Sequence, residues 1–133
     1  MEIAPEALER LKEKVRQHWN AQPSGTSTEL RDRWRRYLTG WWGYYRLAED
    51  RKPLRYLTGW IRRHMRQGFW QRWHGPLGRR RALRKLGVYG PGRQVASAGV
   101  GAWRMARSPV LHWALSNQQL RRYGFLVPTD LAG

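Results

Sequence analysis

The sequence predicts an all-α chain. Three observations carry that prediction. Apolar residues recur three and four positions apart in three long segments, the period of a helix buried along one face. Proline stands where helices open and glycine where they stop. No stretch sustains the period-two alternation of a half-buried strand, so no strand is expected.

The first helix runs from Pro5 to Trp19, with Leu8, Leu11, Val15 and Trp19 as one stripe. Asn20 to Ser24 reads as a loop, with Pro23 and Gly25 beside it. Thr26-Ser27-Thr28-Glu29 fits a capping box, in which the Thr26 hydroxyl and the Glu29 carboxylate satisfy free backbone N–H groups. The second helix then runs to about Ala48. It has Leu30, Trp34, Tyr37, Leu38, Trp41, Tyr44 and Tyr45 on one face and Arg31, Arg35, Trp42 and Arg46 on the other. Gly40 and Gly43 are points where it can bend or admit a close neighbour.

Glu49 to Lys52 is a turn, and Pro53 opens the third helix, which runs to about Trp73. At 100° per residue, Leu54, Leu57, Ile61, Met65, Gly68 and Phe69 share one side. Arg55, Arg62, Arg63 and Arg66 share the opposite side with Tyr56, Trp70 and Trp73. His74 to Gly78 breaks the chain, and a short basic helix follows from Arg79 to Leu86, stopped by Gly87. Val88 to Gly92 is a turn, and Gln94 to Met105 is weakly helical. Ser108-Pro109 is a helix start. Val110 to Tyr123 forms one helix or two short ones, with Ser116 as a second cap and Gly124 as the stop. The tail from Phe125 to Gly133 is expected to fray.

The 133 residues allow one domain. There are 26 basic and 9 acidic residues, a formal net charge of +17 that makes a polyanion the leading partner class. Only Lys12, Lys14, Lys52 and Lys85 of the cations are lysines, and arginine offers phosphate oxygens a planar fork that lysine lacks. Residues 51 to 129 contain no Asp or Glu at all. Phosphate backbones fit that imbalance, and the tryptophans threaded through it fit bases that can be stacked. The absence of cysteine excludes disulfides, thiolate metal sites and cysteine nucleophiles. No apolar run approaches the ~18 residues of a membrane span, and the acidic start is no signal peptide. No membrane partner is therefore expected, and a cytoplasmic location is the default.

Two basic clusters stand out. Arg79, Arg80, Arg81, Arg84 and Lys85 crowd one short helix without a compensating acid, which favours a phosphate contact over a merely solvated face. On the third helix, Arg55, Arg62, Arg63, Arg66 and Arg72 form the second cluster. Trp70 and Trp73 beside them either stack bases or fill the core beneath, and the sequence leaves both open. His18, His64, His74 and His112 are scattered, and none pairs with an acid at metal-ligand spacing. The basic region holds no paired carboxylates, no phosphate-cradling glycine loop and no nucleophilic triad. No enzyme activity, metal or cofactor is expected.

The stretch Tyr37-Leu38-Thr39-Gly40-Trp41-Trp42-Gly43-Tyr44-Tyr45-Arg46-Leu47-Ala48 resembles the group II intron maturase-specific domain. Three further stretches follow in the family's order. They are Leu57-Thr58-Gly59-Trp60-Ile61-Arg62-Arg63, then Trp70-Gln71-Arg72-Trp73 with Arg79 to Gly87, then Trp103-Arg104-Met105-Ala106-Arg107-Ser108-Pro109 with His112, Ala114, Leu115, Ser116 and Asn117. The likeness covers about residue 5 to residue 126.

The stripes and breaks above predict a three-helix bundle over residues 1–74, a basic helical extension over 75–126 and a frayed tail over 127–133, and the resemblance makes that bundle thumb-like. The resemblance also implies binding of structured group II intron RNA. Arg62, Arg63, Arg72, Arg79, Arg81 and Trp73 would be contacts, and Gly40, Trp41 and Tyr44 scaffold. In the family this domain follows a reverse transcriptase domain, whose metal-binding aspartates this chain lacks. The chain is therefore expected to be a split or truncated frame that does not reverse-transcribe alone. The alternative implied is a clamp for DNA or RNA–DNA hybrid, serving as thumb to a separate reverse transcriptase chain. A third reading is a module that folds only when docked on a polymerase.

Overall fold

The computed structural model describes residues 5–20, 25–46, 52–73, 75–89 and 101–132. Among them every regular element is a helix, so the all-α class expected from the periodicity is observed. In chain order the helices are α1 (Pro5–Trp19), α2 (Ser27–Tyr45), α3 (Lys52–Arg72), α4 (Gly75–Lys85), α5 (Ala102–Met105), α6 (Pro109–Ala114), α7 (Asn117–Arg122) and α8 (Pro128–Ala132). Most of the expected turn at Glu49–Lys52, most of the loop at Asn20–Ser24, the end of the second helix at Ala48 and the stretch Gln94–Val100 lie outside the described residues; Lys52 itself opens α3.

The boundaries follow local chemistry. The Thr26 hydroxyl accepts from Glu29 N–H at 3.1 Å and opens α2. Ser108 caps α6 in the same way, accepting from Leu111 N–H, with Pro109 supplying the first turn. Ser116 accepts from Gln119 N–H and divides the C-terminal stretch into two short helices. Two helices end alike. Val88 N–H donates to Leu83 C=O and Gly87 N–H to Arg84 C=O; Phe125 N–H donates to Leu120 C=O and Gly124 N–H to Arg121 C=O. Both glycines have φ of +88°, the left-handed cap that a side chain resists. The expected break at His74–Gly78 is shorter than the sequence implies. α4 already begins at Gly75, because Pro76 in a first turn forfeits only an N–H that has no helical partner.

The main core joins α1, α2 and α3 with residues far along the chain. Leu11, Val15 and Trp19 meet Leu30, Trp34, Leu38, Ile61 and Met65, all fully buried, and Leu115, Leu120, Phe125 and Val127 complete the same cluster. Trp19 is its hub, with its ring centroid 5.9 Å from Trp34, 6.1 Å from Phe69 and 5.7 Å from Phe125. α3 comes close to α1 at Gly68, where an added Cβ would lie 2.9 Å from the Trp19 ring and 3.2 Å from its carbonyl oxygen. No such crowding exists at Gly40 or Gly43, where an added Cβ meets nothing within 4 Å.

The first three helices share the main core with Leu115, Leu120, Phe125 and Val127, and α3 carries a second buried cluster on its other side. There Trp70 packs with Leu83 of α4, Met105 of α5, and Val110, Leu111 and Ala114 of α6. Tyr44, expected in the α2 core stripe, is 77% exposed; the stripe is carried by Leu30, Trp34, Leu38 and Trp41.

The described part of the tail, to Leu131, is packed and not frayed. Val127 is fully buried, Trp34 Nε1 donates to Leu126 C=O at 2.7 Å, and the Thr58 and Thr129 hydroxyls lie 3.1 Å apart. Burying a side chain such as Phe125 or Val127 contributes about 1.5–3 kcal/mol, enough to offset roughly 1–2 kcal/mol of backbone ordering per residue.

Candidate nucleic-acid interface

The arginines of α3 divide by what covers them. Arg66 is 3% exposed. Its Nε donates to Leu115 C=O and an Nη to Asn117 Oδ1, both at 2.8 Å. Burial, reinforced by the nearby Arg62, pushes its pKa down to about 10, which leaves it charged at neutral pH. Arg63 donates through Nε and Nη2 to Trp103 C=O at 3.0 and 2.9 Å, and its guanidinium lies 3.7 Å from the Trp103 ring centroid. Arg62 lies 3.6 Å from Asp130, which also accepts Val127 N–H and approaches Arg121. Each of these three arginines thus holds a different C-terminal piece against α3: α5, the α6–α7 junction, and α8.

The remaining α3 candidates separate likewise. Trp70 is fully buried and offers no face to a base. The expectation that it stacks nucleic acid is therefore replaced by a core role, with Arg79 laid over its ring at 4.3 Å. Arg79 also donates to the Trp70 carbonyl at 3.4 Å, and burial lowers its pKa. Arg72 donates to Gly25 C=O at 2.9 Å. Trp73 is half-buried, packed against both core clusters with part of its ring reachable. Arg55 is exposed on the first turn of α3, about 25 Å along the axis from Arg72 at 1.5 Å per residue.

Of the candidates selected from the sequence, those open to solvent are concentrated on α4, with Arg55 the one exception. Arg80, Arg81, Arg84 and Lys85 are all exposed, and the ion pairs found among the described residues involve none of them. Leu83 is the buried anchor that turns this helix, with Ala82 and Leu86 half-buried beside it. One face of α4 therefore packs on Trp70 while the opposite face presents four adjacent cations. Arg104, Arg107, Arg121 and Arg122 are further exposed arginines that the sequence reading did not select.

The sequence that builds these helices matches a known family. Residues 8–87, more than half of the chain, match the family model of the group II intron maturase-specific domain. The chain belongs to that family. No curated protein matches it.

The maturase-specific domain is non-catalytic, and membership implies a role in group II intron splicing. The matched stretch ends at Gly87, so the segment that closes over the second face of α3 lies beyond it. Among the described residues of this maturase domain, no group of three or more His, Cys, Asp or Glu is placed to hold a metal, and no helix is long and apolar enough to cross a membrane.

One buried base in the domain has a consequence for stability. His64 is 5% exposed, donates through Nδ1 to Asn20 Oδ1 at 2.8 Å, and lies between the rings of Trp60 and Trp103, at 4.3 and 4.4 Å. Burial, with the charges of Arg16 and Arg63, holds its pKa at about 4, although the neighbouring Gln67 side chain raises it. The folded state then binds fewer protons than the unfolded chain between pH 6.5 and 4, so stability falls as pH drops through that window. The expected loss between pH 7 and pH 5 is about 2 kcal/mol. Urea unfolding at the two pH values checks it. His64→Gln should flatten the difference, and a wild-type midpoint that does not move would refute the assignment.

Proposed function

We propose that this chain binds structured group II intron RNA and assists its folding and splicing without performing chemistry itself. The observation that carries this reading is the exposed face of α4, where Arg80, Arg81, Arg84 and Lys85 stand together without an acidic partner. A fold gains little from such a row, because like charges four apart on a helix repel and offset what Arg84 and Lys85 gain at the helix C-terminus. A folded RNA gathers phosphates that repel one another in turn, and a cationic helix set against them relieves both repulsions. A protein that prefers the compact RNA shifts the RNA folding equilibrium by its difference in affinity for the two states. Splicing chemistry stays with the RNA.

The test is competition at matched salt between a folded intron transcript, a DNA duplex and an RNA–DNA hybrid. The folded transcript should be preferred by roughly tenfold or more, since its grooves carry 2′-hydroxyls and irregular shape that B-form DNA lacks. Preference for the hybrid or the DNA would instead assign the chain as a polymerase clamp.

A further inference from the structure

An open groove of about 540 Å³ lies where the start of α2, the end of α3, α4 and the end of α7 meet. Sites for small ligands span roughly 300–1,000 Å³. The lining includes four aromatic residues, Phe69, Trp73, Tyr123 and Phe125. It also includes three cations, Arg31, Arg81 and Lys85. Among the described residues, no acidic side chain lines it. Arg31 is partly engaged, donating to Asp32 at 3.0 Å, while Arg81 and Lys85 enter none of the ion pairs found among the described residues. Tyr123 is 45% exposed, and its hydroxyl accepts from Gln119.

These features restrict the occupant. An apolar protein segment would cover the groove's cations and leave them desolvated without partners. A paired duplex offers phosphates but keeps its bases stacked inside, away from the groove's aromatic rings. An unpaired nucleotide carries a flat π-face and an anion on one residue, which is the pairing that the groove presents.

We propose that the groove takes a single unpaired RNA nucleotide, its base against Trp73 and Tyr123 and its flanking phosphates on Arg81, Lys85 and Arg31. This rests on the reading of the chain as an RNA-binding domain and gives that reading a register. The α4 cations hold any folded RNA, and the groove selects where an extruded base sits.

The test uses two hairpin RNAs of one sequence, fully paired or with a single bulged nucleotide, bound to the full chain at one salt concentration and followed by fluorescence anisotropy. The wild type should prefer the bulged hairpin by about tenfold or more, the range of one stacked base. Gly78→Leu should remove that preference to within about twofold. Gly78 lies within α4 and lines the groove, and the nearest heavy atom to an added Cβ is 3.9 Å away, so a leucine enters the open space and suits the helix better than glycine.

Tyr123→Ala, at an exposed position, should cut the preference about fivefold and carries the test if the plugged variant does not fold. Equal binding of both hairpins by the wild type overturns the groove assignment while leaving RNA binding intact. Binding of neither overturns the RNA reading itself. Groove-dependent capture of a peptide alternating Asp and Phe, with the hairpins bound equally, would assign the groove to a protein and overturn the proposal.

Discussion

Replacing Arg80, Arg81, Arg84 and Lys85 together with alanine is expected to weaken binding of folded intron RNA by a factor on the order of 10²–10³ and to flatten its salt dependence by about three in log–log slope, because each neutralised phosphate contributes about 0.7–0.9. The same change should leave the fold nearly untouched. These side chains are exposed, and Arg80–Arg84 and Arg81–Lys85 are like-charged pairs four residues apart. Removing each pair relieves about 0.2–0.5 kcal/mol, and alanine is the best helix former. Against this stands the lost attraction of Arg84 and Lys85 to the helix C-terminus, about 0.3–1 kcal/mol each.

The terms nearly cancel, so the melting temperature should move by only a few degrees. Large loss of binding with unchanged stability is a pattern that a structural role for the cluster does not produce. Arg79 is left out on purpose, since its guanidinium lies on the Trp70 ring and its removal would mix a core defect into the measurement. An unchanged salt slope in the quadruple variant would move the interface off α4.

The contrast between α4 and α3 shows what the sequence could and could not disclose. The helices, their caps and the apolar side of α3 follow from local rules: a Ser, Thr or Pro at a start, a Gly in the left-handed region at a stop, an apolar residue every three or four. Leu54, Leu57, Ile61, Met65 and Phe69 are all buried as that periodicity requires. The other side of α3 was illegible for a physical reason. An arginine-rich face reads as solvent-exposed unless something covers it, and the cover here is assembled from the short helices α5, α6 and α8, too short to announce a packing stripe.

The pins that fasten the cover are backbone carbonyls of Trp103 and Leu115, and any residue carries a carbonyl. Asp130 and Asn117 are side-chain partners, yet 68 and 51 positions from Arg62 and Arg66, and nothing local links them. The same limit hides the groove, because Arg31, Trp73, Lys85 and Tyr123 become neighbours only after the chain has folded. The α4 cluster was legible because its cations are contiguous and its only core anchor is Leu83.

Arg66→Ala is expected to destabilise the chain by about 3–5 kcal/mol, the range for a buried charged group whose partners are left behind. Leu115 closes α6 and is itself buried in the main core, so its carbonyl cannot turn to water without moving the cluster. Loss of the guanidinium also empties space between α3 and the α6–α7 junction, adding a cavity cost. For a domain of this length, that corresponds to a fall in melting temperature of roughly ten degrees or more. Arg66→Lys should recover only part of the loss, since one ammonium on a flexible stem does not reproduce the fork that reaches Leu115 and Asn117 together.

The local consequence is separable from the global one. With its pin gone, the segment from Ala102 to Arg122 should open at a lower free energy than the rest, and trypsin should cut at Arg104 and Arg107 before it cuts within α1 or α2. Binding provides the discriminating arm. If Arg66 touched RNA, its loss would lower the salt slope by about 0.7–0.9 with stability unchanged. A side chain that holds the second face of α3 closed predicts the reverse: an unchanged slope at temperatures where the variant is still folded, and a fold that melts early.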